Sequence, residues 1–150
     1  MTAIPTPAPV VPGRLEQMST RIAFFIAGFG IAAWAPLVPY AKARANLNEG
    51  TLGLLLLCLG VGSIIAMPAA GALASRYGCR RVLTAGTLMI CLALPMLATV
   101  SSIPLLIAGL FLFGAGLGTV DSTVNLQAVI VERASGKTMM SGFHGLFSLG

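Results

Sequence analysis

Three long runs without a charged residue constrain this chain more than any other feature. Ile22–Tyr40 holds 19 such residues, Thr51–Ser75 holds 25 and Val82–Val120 holds 39. A hydrocarbon core about 30 Å thick is crossed by about 20 apolar helical residues. The first two runs therefore read as one crossing each. The third is too long for one. It divides at Ser101-Ser102-Ile103-Pro104, where the serines suit a turn and the proline lacks a backbone donor. A fifth apolar run starts near Met139 and reaches Gly150. The expected fold is an all-α membrane protein with four complete transmembrane helices and the start of a fifth. The spans are about 22–40, 51–75, 82–100, 104–131 and 139–150.

Composition supports this against a soluble domain. Charged residues make up 9% of the chain and hydrophobic ones 57%, where a globular domain carries about 25% charged. So few charges cannot cover a water-facing surface, which excludes a nucleic-acid module or a secreted scaffold. Cys58, Cys79 and Cys91 are odd in number and lack CxxC spacing, so neither a disulfide framework nor a metal site is expected, and no cofactor is called for. Residues 1–20 contain Pro5, Pro7, Pro9 and Pro12 and read as a disordered, proline-rich cytoplasmic tail without the order of a secretory signal.

The basic residues orient the spans. With a cytoplasmic N-terminus, Arg14, Arg21, Arg76, Arg80, Arg81, Arg133 and Lys137 fall inside, and Lys42 and Arg44 outside. That bias follows the positive-inside rule and places a multi-pass protein in the cell (inner) membrane. Because the last apolar run has no polar end, the chain is expected to be the N-terminal fragment of a longer protein. The alternative is a small protein of four spans with a hydrophobic tail.

Within the spans, Gly62, Ala66, Ala70 and Ala74 form a row of small residues on the second helix, and Gly114 and Gly118 a GxxxG pair on the fourth. Such faces let backbones approach closely. Pro36, Pro39, Pro68 and Pro95 are expected to bend or unwind their helices. Asp121 is the acid at membrane depth, and acids there usually face a bundle interior or a watery cavity. Asn125 lies one turn later and Glu132 about three turns later on nearly the same face. One reading is a solute or proton pathway; the other is an acid paired with a loop arginine. His144 is expected near the depth of Asn125, as a proton-exchanging or a packing residue. Trp34 either lines a cavity or packs between helices, and Tyr40 suits the interface.

The segment Gly71-Ala72-Leu73-Ala74-Ser75-Arg76-Tyr77-Gly78-Cys79-Arg80-Arg81 resembles the signature loop of the major facilitator superfamily, G-x-L-[AG]-D-R-x-G-[RK]-[RK]. Gly71, Arg76, Gly78 and Arg80 match, and Arg81 follows as a further basic residue of the loop; Ser75 stands for the usual aspartate and Cys79 for a usual basic residue. The glycines are expected to permit close packing and a tight turn, and the basic residues to hold the loop at the anionic leaflet. The stretch from Asn125 to Gly150 looks like a bacterial branch of these permeases. Pro36-Leu37-Val38-Pro39-Tyr40 is distantly similar to fucose-permease-type sugar symporters, with Ala35 where members of that group can carry an acid.

The resemblance implies a twelve-helix bundle in two halves that alternates between inward-open and outward-open states. This chain would supply most of the first half. The missing C-terminal half would cover the small-residue face of the second span. The function implied is secondary transport of a small solute (a sugar, an organic acid or a drug-like molecule), proton-coupled and not enzymatic. Candidate residues are Asp121, Asn125, His144 and Trp34 for the pathway, with Glu132 and Arg133 as cytoplasmic charge contacts. The alternative is a non-transporting membrane scaffold or assembly subunit. The partners expected are the lipid bilayer, the solute and the missing half, with no nucleic acid.

Overall fold

The computed structural model describes residues 13–150. Among them the chain is helical: α1 (Arg14–Trp34), a 3-10 turn (Ala35–Leu37), α2 (Val38–Arg44), α3 (Glu49–Tyr77), α4 (Cys79–Thr99), α5 (Ile103–Ser135) and α6 (Met140–Leu149). Four stretches, Arg14–Arg44, α3, α4 and α5, are long and apolar enough to cross a membrane, and α6 has ten residues. The helix α1 begins eight residues before Ile22. Extended Gly13 precedes it, and Glu16 lies in its first turn, where a negative charge meets the positive end of the helix. The tail expected over 1–20 is thus corrected: residues 14–20 are helical, and 1–12 lie outside the described residues.

Local signals set the other ends. The Asn48 side chain accepts a 2.8 Å bond from the Thr51 amide and caps α3. Pro104 sits in the first turn of α5, where its missing donor costs nothing. Gly136, with φ 63°, ends α5 in a left-handed cap. Pro68 and Pro95 lie inside continuous helices, whereas Pro36 and Pro39 accompany the change from α to 3-10 and back.

The central helix is α5. Its buried residues run from Leu106 to Val131, and α3, α4 and α1 all pack on it, while α6 packs mainly on α1. Phe24, Phe113, Phe143, Leu97, Leu106, Val124 and Val131 are fully buried. Leu15 and Glu16 of α1, Arg80 of α4 and Gln127 of α5 line one depression. The start of α1, the start of α4 and the second half of α5 therefore share one end of the bundle. On its outer faces the bundle exposes Leu54, Leu57, Ile64 and Leu92, a belt suited to lipid.

Two crossings carry the tightest packing. A Cβ added at Gly62 would collide with the Phe111 carbonyl oxygen, and one at Gly114 with the carbonyl oxygen of Leu59. At Gly118 it would meet the Ser63 backbone. The same reciprocal arrangement joins α1 to α6: Gly28 lies against the Phe147 carbonyl and Gly150 against that of Phe25. Only glycine allows such backbone contact. The small-residue face of α3, expected to await a missing half, is therefore occupied by α5. Further along the row, Ala70 and Ala74 are buried with Cys79 and Val82, and Leu126 packs against them.

Candidate functional site

The most polar part of the interior lies midway along α5. Asp121 is 14 residues from Ser135 and 18 from Ile103, about 21 Å and 27 Å along the axis. It is half-buried, as is Asn125. The Asn125 amide nitrogen donates to the Asp121 backbone oxygen at 2.9 Å and to Asp121 Oδ1 at 3.3 Å. Ser122 Oγ donates across the α3 crossing to the Met67 carbonyl at 3.4 Å. Thr123, fully buried, bonds back to the Thr119 carbonyl at 2.6 Å. The carboxylate therefore has one neutral donor, and no ion pair reaches it. Among the described residues the single ion pair is Lys42–Glu49.

Glu132 shares the α5 face with Asp121 and Asn125 but does different work. Its Oε2 accepts from the backbone amides of Met139 and Met140 at 2.7 and 2.8 Å. These are orphan donors at the start of α6, whose own N-cap residue, Met139, supplies no side-chain bond. The carboxylate thus holds α6 from the preceding helix, across the turn at Gly136. Arg133 next to it is exposed.

Trp34 and His144 both contact aromatic rings. Trp34 is buried, its ring 6.1 Å from that of Phe113, and Phe113 precedes Asp121 by eight residues, about 12 Å of helix. It packs between helices. His144 sets its ring edge-on to Phe24 at 5.2 Å, beside the stacked pair Phe24–Phe143. Among the described residues no hydrogen bond joins its imidazole to Asn125.

The signature segment forms the sharp connection between α3 and α4. Gly78 has φ 85° and ψ 147°, and its amide donates to the Ala74 carbonyl at 2.9 Å. A Cβ there, or at Gly71, would meet nothing within 4 Å. This corrects the expected reason for glycine. Obstruction is absent, and at Gly78 the constraint is a backbone region costing other residues about 1–3 kcal/mol. Close packing falls on Gly62, nine residues earlier than Gly71. Ser75 Oγ turns back to the Ala72 carbonyl at 2.8 Å. The Arg76 guanidinium lies 5.3 Å from the Tyr77 ring centroid, and Arg76, Arg80 and Arg81 are exposed.

Sequence reasoning missed Arg44. Its Nε donates to the Val100 carbonyl at 3.0 Å and its Nη2 to the Leu97 carbonyl at 2.7 Å. It closes the C-terminal end of α4, where a cation meets unsatisfied carbonyls. Position alone pointed to it only as one of the two basic residues at that end of the bundle.

The model of the Major Facilitator Superfamily matches residues 21–150. An uncharacterized MFS-type transporter of Yersinia pestis is 56% identical over 141 residues, which cover 94% of this chain and 37% of that protein. The uncharacterized transporter y4wD of Sinorhizobium fredii is 35% identical, over 85% of this chain and 34% of its own length. The membrane protein MosC of Rhizobium meliloti is 31% identical, over 93% and 34%. The chain thus spans about a third of the length of these relatives. No solved structure matches it significantly.

Proposed function

We propose that this chain, which belongs to the Major Facilitator Superfamily, is part of a proton-coupled secondary transporter that moves a small solute by alternating access. Asp121 carries this reading. A carboxyl group midway along a membrane-crossing helix, held by one neutral amide and in no ion pair among the described residues, is a rare feature that marks solute and proton paths. It is suited to take up a proton on one side and release it on the other. Asn125 orients it and adds a polar contact for the solute. Glu132 keeps α6 seated next to this path.

The test is proton movement in liposomes containing the full-length protein. Addition of a substrate from a panel of sugars, organic acids and drug-like solutes is expected to acidify the lumen, as read by a trapped dye. Absence of any solute-dependent proton flux across the panel, with solute uptake intact, would remove the coupling. Absence of both would remove the transport reading.

In this reading the protein lies in the inner membrane with its N-terminus in the cytoplasm, on the strength of the basic residues gathered at one end of the bundle. In a background lacking the three native cysteines, Ser102→Cys is expected to react with an impermeant thiol reagent in intact cells and Ser135→Cys to stay unlabelled. The opposite pattern would reverse the orientation.

A further inference from the structure

The end of the bundle where α1 and α4 begin holds two opposite charges that do not pair with each other. Glu16, Arg80 and Gln127 line one depression of about 480 Å³ there, a size within the range of ligand sites, about 300–1,000 Å³. Ser19 and Thr20 line it too, but their hydroxyls donate to the Glu16 backbone carbonyl at 2.9 and 2.8 Å. The groups left to meet a ligand are a carboxylate, a guanidinium and an amide. Glu16 and Arg80 are exposed, and among the described residues neither is in an ion pair. A second depression continues from this mouth between α1 and α4, sharing Ser19, Ala23, Arg80 and Leu83 with the first. Farther along, its lining turns apolar, with Ile22 and Ile26 of α1, Leu88 of α4 and Val120 of α5. Thr84, which also lines it, turns its hydroxyl back to the Arg80 carbonyl at 2.9 Å. Ser19 to Ile26 is about 10 Å of helix, and Arg80 to Leu88 about 12 Å. The trough thus covers much of the roughly 15 Å that one leaflet contributes to the hydrocarbon core.

We infer that the joined depressions hold one phospholipid with a primary-amine, zwitterionic head group, a phosphatidylethanolamine. The Arg80 guanidinium matches the phosphodiester, because its planar fork of N–H groups suits two phosphate oxygens. Glu16 matches the ammonium, which offers three N–H donors as a lysine does. The trimethylammonium of phosphatidylcholine has none. One acyl chain lies in the trough between Ile22, Ile26 and Leu88. Basic residues alone would attract any anionic lipid. The carboxylate in the same depression changes the preference, since a purely anionic head group gives Glu16 no partner. The inference needs only the membrane-spanning helices and holds apart from the transport reading.

The test counts lipids retained by the full-length protein in native mass spectra. Phosphatidylethanolamine, phosphatidylcholine and phosphatidylglycerol with matched chains are supplied at equal concentration. Retention of phosphatidylethanolamine is expected to exceed that of phosphatidylcholine about threefold, as one exposed ion pair allows. Glu16→Gln should lower phosphatidylethanolamine to the level of phosphatidylcholine. Arg80→Gln should lower both about threefold. Lys137→Gln removes the same charge at an exposed position outside the depression and should change neither. Glycerophosphoethanolamine, a head group without chains, should displace no phosphatidylethanolamine at equal concentration. Equal retention of the amine and choline lipids by the wild type, or stronger retention of phosphatidylglycerol, would overturn the zwitterionic site. Equal losses in Arg80→Gln and Lys137→Gln would show attraction by overall charge and overturn the placement at Arg80. Displacement by the chainless head group would overturn the trough.

Discussion

Gly114→Leu is expected to abolish recovery of folded protein from detergent extracts. Even the first atom of the new side chain would overlap the Leu59 carbonyl, and on the same crossing Gly62 lies against the Phe111 carbonyl. The atoms in the way are backbone, so no rotamer change relieves the clash, and α3 must move off α5. Overpacking a well-fitted core by a few methylenes costs about 1–3 kcal/mol where side chains can adjust; here they cannot. Gly114→Ala already contains the clashing atom and should lower the thermal midpoint by several degrees. Gly71→Ala is the matched control, on the same helix as Gly62 but with open space around it, and should unfold like the wild type. The melting curve of the purified protein, followed by Trp34 fluorescence, separates the three. A wild-type midpoint for Gly114→Ala would mean that the α3–α5 crossing is looser than the structure shows.

Asp121→Asn is expected to reduce proton-driven accumulation by the full-length protein at least tenfold while sparing solute exchange. The new amide is nearly the same shape, and its oxygen can still accept the Asn125 bond. On the proposed reading, what is lost is the group that carries the proton. Exchange between two solute pools does not require the proton to leave, so that half of the cycle survives. Expression and melting point should also survive. The competing idea, an acid paired with a loop arginine, predicts the reverse, because a cation left without its partner destabilises. The structure shows no such pair at Arg76 or Arg80 among the described residues. Normal pH-dependent accumulation by Asp121→Asn would eliminate Asp121 as the coupling group.

The spans were legible because a long uncharged run has no stable alternative to a helix in lipid. Their ends were less so. Hydrophobicity marks where lipid stops, whereas a helix stops where its caps are, at Gly13, Asn48 and Gly136. The small-residue row on α3 was legible as a packing face, but its partner was not: periodicity shows that Gly62 faces something without saying that α5 lies there. One-turn spacing put Asp121 and Asn125 on one face, and the structure adds the bond between them. The roles of Glu132 and Arg44 did not, since each satisfies the end of another helix. Arg44 does so more than 50 residues away in sequence, and chain spacing carries no sign of that contact.

The two glycine crossings also bear on how the chain is composed. Phe25 and Gly28 meet Phe147 and Gly150 as Phe111 and Gly114 meet Leu59 and Gly62, and the corresponding positions lie 86 or 88 residues apart. Because α1 and α5 run in opposite directions, one crossing is the other turned upside down. The same contact, a glycine of each helix set against a carbonyl of the other, is thus used twice to fasten neighbouring helices.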